Sequence, residues 1–128
     1  MATLGALESA PATLPAAARV PVDHDHLSRY TFGNRELELE VLNLFAAQAP
    51  DYVGGLRDAR TEKEWRDAAH SLKGSARAVG AHFVAELAQR AELQGLPTDP
   101  GARAMMIDAL VEAIGEAKAH IALLENES

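Results

Sequence analysis

The chain has 128 residues, 48% of them hydrophobic but only 5% aromatic, and a formal net charge of −7. That length supports one domain around one core, and the acidic balance excludes a nucleic-acid binder that works by neutralising phosphates. No apolar run approaches the roughly 18 residues that cross a bilayer, the N-terminus lacks the basic start of a secretory signal, and no cysteine is available for disulfide or thiol chemistry, so a cytoplasmic protein without membrane association is expected.

Ala, Leu, Glu and Arg are abundant and β-branched residues scarce, which favours an all-α domain. Residues 1–21 mix alanine with three prolines after position 10 and show no amphipathic period, so they are expected to form a flexible tail ahead of a domain spanning 22–128. Asp23 caps a short first helix to about Tyr30, with Leu27 and Tyr30 inward, ending at the turn of Gly33 and Asn34. Asn34 caps a second helix whose inner stripe is Leu37, Val41, Leu44 and Phe45. Pro50 removes a backbone donor, so that helix either kinks or restarts before Tyr52, Val53 and Leu56.

Thr61 and Glu64 form a capping-box signature for a third helix through Val79, terminated by Gly80. A fourth runs from about Ala81 with Phe83, Leu87 and Ala91 on one face and stops at Gly95. Asp99 and Pro100 open a fifth, along which Ile107, Leu110, Ile114, Ala117, Ile121 and Leu124 form a seam suited to antiparallel packing, while Met105 and Met106 fill gaps. These elements predict an antiparallel four-helix bundle with a short additional N-terminal helix.

On a wheel of about 100° per residue, Lys63, Arg66, Lys73, Gly74 and Arg77 fall within roughly 60° of His70. Trp65, Ala68, Ala69, Leu72, Ala76 and Val79 collect on the opposite side, so His70 faces solvent. Four cations around one imidazole in an acidic chain suggest an anion held there, since Lys and Arg form charge-assisted hydrogen bonds with phosphoryl oxygens. Imidazole is largely neutral and nucleophilic near pH 7. Gly74 is about 1 kcal/mol worse than Ala inside a helix, which points to close approach of a partner beside the ring.

The run Ala69-His70-Ser71-Leu72-Lys73-Gly74-Ser75, followed by Gly80, resembles the signature A-H-x-L-K-G-S/A of the histidine-containing phosphotransfer (HPt) domain family. Looser similarity covers Leu44 and Phe45, Pro50, Leu56, and Leu93 to Gln94, so the resemblance spans roughly residues 22–125. It implies a four-helix bundle that takes a phosphoryl group from an aspartate of one receiver domain and passes it to an aspartate of another. His70 matches the phosphorylated residue, Lys73 the position that helps hold the phosphoryl group, and Gly74 the small residue that admits the receiver. Arg66, Arg77 and Lys63 are the further candidate partner-binding residues. Glu92 aligns with a position where some members carry a glutamine contacting the histidine and many others a glutamate.

The partners implied are receiver domains of response regulators and of hybrid histidine kinases, with a monomeric carrier, no cofactor of its own, and magnesium on the receiver. Phosphotransferase chemistry without autokinase activity is expected, because no glycine-rich phosphate loop is present. An adaptor that docks without carrying phosphate is disfavoured by the retention of His70 and Lys73. A fragment equivalent to the phosphotransfer domain of a chemotaxis kinase is disfavoured by the chain ending soon after the last helix. His24 and His26, two apart and without further ligands, give no metal site. His82 and His120 are expected to be structural or solvated, and Ser71 and Ser75 to play no part in a Ser-His-Asp arrangement.

Overall fold

The computed structural model describes residues 20–127, so the tail expected over 1–21 lies, up to residue 19, outside the described residues. Five helices follow, with no strand among the described residues: α1 (His24–Thr31), α2 (Arg35–Asp58), α3 (Glu62–Val79), α4 (His82–Gln94) and α5 (Pro100–Glu127). Short links join α2 to α3 and α3 to α4, which makes consecutive helices antiparallel. Packing runs α2 on α3, α3 on α4, α4 on α5 and α5 back on α2, closing a four-helix ring, while α1 lies across the ends of α2 and α3. No helix among the described residues is long and apolar enough to cross a membrane.

The helix starts follow local chemistry. Asp23 accepts from the backbone N–H of His26, Asn34 from that of Leu37, and Thr61 and Glu64 form the full reciprocal capping box. Asp99 does the same for Ala102 at the head of α5. At the other end of α3, Gly80 sits at φ 80°, and a Cβ there would lie 2.8 Å from the carbonyl oxygen of Asp23. Only glycine serves there, because the left-handed turn and the hydrogen bond from Asp23 N to Gly80 O at 2.8 Å occupy the same space.

The core is built on Trp65 and Phe45 with Leu27, Leu42, Leu56, Leu72 and Leu110. Burying each such side chain stabilises by roughly 1.5–3 kcal/mol before entropy is counted. The α5 seam from Ile107 to Ile121 is buried as its spacing predicts, with Leu124 packed at its edge. So is the α3 row of Trp65, Ala69, Leu72, Ala76 and Val79.

Four expectations are corrected. In α2 the inner row is Leu42, Phe45, Ala49, Val53 and Leu56, whereas Leu37 and Leu44 are 38% and 55% exposed. Apolar residues occupy more of this helix than its core face can cover, and the lower half of the helix, Ala49 to Leu56, fixes which row turns in. Tyr30 is 62% exposed because Thr31 takes the inward place, its hydroxyl satisfied by Leu27 O and by Glu38. On α4 the buried row is Val84, Ala85, Ala88 and Ala91, with Phe83 and Leu87 half-buried beside it. Met105 is exposed and fills nothing; only Met106 packs against the core. Pro50 leaves α2 as one helix, Arg35–Asp58.

Candidate functional site

Two features of the α3–α4 packing decide where side chains meet. Small residues on both sides, Ala69 and Ala76 on α3 and Ala85, Ala88 and Ala91 on α4, let the helices approach closely. The register is then fixed by Trp65, fully buried, whose Nε1 donates to the Ala91 carbonyl at 2.7 Å. Glu62 accepts from the N–H of Leu96 at 2.7 Å and pins the lower end of the same pair. Glu92, next to Ala91, is thereby delivered opposite His70.

His70 lies mid-way along α3 with its side chain 69% exposed, and its Nδ1 is 3.0 Å from Glu92 Oε2. The other Glu92 oxygen forms an ion pair with Lys73 Nζ at 2.6 Å. Lys73 foremost, and His70 after it, hold the Glu92 carboxyl below its ordinary range against the opposing effect of burial. An ionised carboxylate only accepts hydrogen bonds, so Nδ1 must be the ring nitrogen that carries the proton. In the neutral ring Nε2 then keeps its lone pair, and it makes no hydrogen bond among the described residues. With the ring neutral, the arrangement presents one oriented ring nitrogen with a free lone pair on an exposed helix face.

The other sequence candidates are placed less uniformly. Lys63 pairs with Asp67 at 2.6 Å, and Asp67 is held below its ordinary range by that lysine. Arg77 Nη2 donates to Gln89 Oε1 on α4 at 2.6 Å. Arg66 makes no hydrogen bond or ion pair among the described residues. Gly74 is exposed, and a Cβ built there would meet nothing within 4 Å. No packing among the described residues requires that glycine. The even cationic ring expected from the wheel is thus uneven: the two lysines are bonded to carboxylates and the two arginines are not.

Sequence reading missed Asp67 and Gln89. Asp67 was legible, since it stands four residues after Lys63 on the His70 face. For Gln89 the only signal was its place three residues before Glu92. Beside His70, Val41, Leu44, Gln48 and Tyr52 of α2 and Ser71, Ser75 and Ala78 of α3 line an open groove. Among the described residues, no group of three or more histidine, aspartate or glutamate side chains is arranged to hold a metal ion.

Neither curated proteins nor solved structures give a match to this chain. The family description "Hpt domain" matches residues 40–120, from within α2 into α5, a span that holds His70, Lys73, Gly74 and Glu92. With more than half of the chain matched and an all-α bundle around that segment, the chain belongs to the Hpt domain family, whose members serve phosphotransfer in two-component signalling.

Proposed function

We propose that this chain is a phosphorelay carrier that accepts a phosphoryl group on His70 from a receiver aspartyl phosphate and passes it to the aspartate of another receiver. The single observation behind this reading is the bond from His70 Nδ1 to the ionised Glu92, which aims the Nε2 lone pair outward. Nε2 attacks phosphorus in line; the P–N bond forms as the P–O bond to the aspartyl carboxyl breaks, and the electron pair leaves with the receiver's carboxylate. No proton moves, because Nδ1 keeps its hydrogen. The ring becomes cationic as the bond forms, and the Glu92 carboxylate at 3.0 Å counters that charge. Lys73, one turn along the same face, is paired with Glu92 before transfer and turns its ammonium toward the phosphoryl oxygens as the group arrives. The reverse sequence delivers the group to the next receiver, and the magnesium ion of each transfer belongs to the receiver.

The receiver docks over the open surface at Gly74 and the neighbouring α2–α3 groove. Leu37 and Leu44 point outward on that side of α2, and exposed leucines of this kind suit an interface that excludes water from the transfer. We take the carrier to act as a cytoplasmic monomer. The test is label transfer from a radiolabelled phosphorylated receiver. An acid-labile, base-stable label on the wild-type chain and none on His70→Gln are expected; acid-stable label, or undiminished transfer to His70→Gln, would overturn the proposal.

A further inference from the structure

We infer that Arg66 and Arg77 are the two anion contacts by which this face recognises acidic side chains of its receiver, and that Gln89 holds Arg77 in place without a countercharge for that purpose. The identity of the partner rests on the phosphocarrier reading; the charge pattern does not.

The cations near His70 differ in what they touch. Lys63 is neutralised by Asp67 at 2.6 Å and Lys73 by Glu92 at 2.6 Å. Arg90, one residue after Gln89 on α4, is paired with Glu86 at 3.0 Å. Arg77 alone of these is held by a neutral group, the Gln89 amide oxygen at 2.6 Å. An amide fixes the guanidinium without cancelling its charge, and one donated bond leaves most of the five guanidinium donors free. Arg66 has no hydrogen-bonded carboxylate among the described residues: the adjacent Asp67 is bonded to Lys63 and feels Arg66 only through its charge.

The two arginines flank the nucleophile, four residues before it and seven after. Eleven residues of helix separate them by roughly 16 Å, with His70 and the open Gly74 surface between. That separation lies inside the footprint of a standard interface of about 800 Å² per partner. In a chain of net charge −7, two cations on one face with no bonded carboxylate orient the molecule toward an acidic partner and raise the encounter rate. Gln89 and Glu92, three apart on α4, divide the work. The glutamate closes on Lys73, and the glutamine leaves Arg77 available. A glutamate at position 89 would close the second site as well.

The experiment uses the full chain and each receiver domain of the source organism charged with acetyl phosphate, with the fastest donor taken forward. Arg77→Gln, Arg66→Gln and Gln89→Glu each lower the net charge by one unit, as does Lys118→Gln on α5. We expect the first three to raise KM for the phosphorylated receiver about fivefold to tenfold with kcat within about twofold, and to flatten its salt dependence. Lys118→Gln should stay within about twofold of wild type in KM. Gln89→Glu indistinguishable from wild type, or Lys118→Gln as impaired as Arg77→Gln, overturns the inference. Circular dichroism checks that each variant is helical. Binding of the same receiver in its unphosphorylated form, measured by calorimetry, separates the two levels. A wild-type chain that binds receiver but accepts no phosphoryl group defeats the carrier reading, while the order of the variants in binding still decides the roles of Arg66, Arg77 and Gln89.

Discussion

His70 and the other four histidines occupy two regions that treat an imidazole in opposite ways. Around α1, His82 Nε2 is 3.0 Å from Asp23, His24 Nε2 is 2.8 Å from His120 Nε2, and the His26 ring packs edge-on against Tyr30 and His82. Those rings spend their polar atoms or faces on other parts of the chain, joining α1 to α4 and α5. His70 has a carboxylate partner at the same 3.0 Å as His82, yet its second nitrogen is turned to solvent on a helix with an open glycine one turn on. A carboxylate beside a histidine therefore does not separate a clasp from a site. What separates them is whether the remaining ring nitrogen and its surroundings are left open.

The same substitution made in each region should have opposite consequences. His70→Gln should abolish phosphoryl transfer, a loss of at least about a thousandfold in rate because the nucleophile itself is gone, while His82→Gln should leave transfer within about twofold and lower stability instead. A rapid-mixing transfer assay paired with urea unfolding reads both. Equal transfer losses in the two variants would erase the distinction.

The carboxylates come next. Glu92→Gln keeps an acceptor for Nδ1 but removes the charge that counters the cationic ring, so the transfer rate should fall about tenfold to a hundredfold, by analogy with the carboxylates that orient metal-bound histidines. Asp23→Ala removes the N-cap of α1 as well as the His82 contact and should cost about 1 kcal/mol of unfolding free energy, with transfer unchanged. A stability loss for Glu92→Gln that matched its kinetic loss would mean the glutamate is a brace like Asp23.

Gly74→Leu sets stability against access within the site itself. A Cβ there would meet nothing within 4 Å among the described residues, so replacing a mid-helix glycine should raise stability by up to about 1 kcal/mol. Receiver affinity should nevertheless fall about tenfold, as the new side chain stands where the partner approaches. Calorimetric titration of the receiver measures the second effect, and unaltered affinity would remove Gly74 from the interface.

The legibility of the sequence differed along the same divide. The whole of α3 could be read, because its start is written in Thr61 and Glu64, its end in Gly80, and its two faces in residues that are either clearly apolar or clearly charged. Helix α2 could not be oriented, since Leu37, Val41 and Leu44 make as good a stripe as Leu42, Phe45 and Ala49. Glu92 was placed near His70 by resemblance alone; the physical cause, the Trp65 bond to Ala91 and the alanine rows between α3 and α4, is tertiary. The pairing of His24 with His120 joins residues 96 apart, and no local pattern encodes such a contact.

That last pair supplies the smallest effect and a test of the clasp. At 2.8 Å, one Nε2 must donate and the other accept, so the contact requires that the two rings not both be protonated. Burial, and His24 after it, hold His120 below its ordinary value of 6.5, with Glu127 opposing. A histidine whose folded-state value lies below the unfolded one stabilises the fold when neutral. Its contribution is complete above pH 6.5 and is lost as the pH falls through the folded value. Asp23 responds elsewhere: the His26 N–H and then His82 hold it below 3.8, so its contribution persists above that pH and is lost only in stronger acid. Mild acid should therefore open the α1–α5 contact while the N-cap of α1 still holds. Because His120 is only partly shielded from water, the change in unfolding free energy between pH 7.5 and 5 should be on the order of a few tenths of a kcal/mol. Hydrogen exchange at the α1 amides, corrected for intrinsic rates, detects such a step where bulk unfolding does not, and His120→Gln should remove its pH dependence. Protection that falls only below pH 4, in wild type and variant alike, would assign the hold on α1 to Asp23 alone.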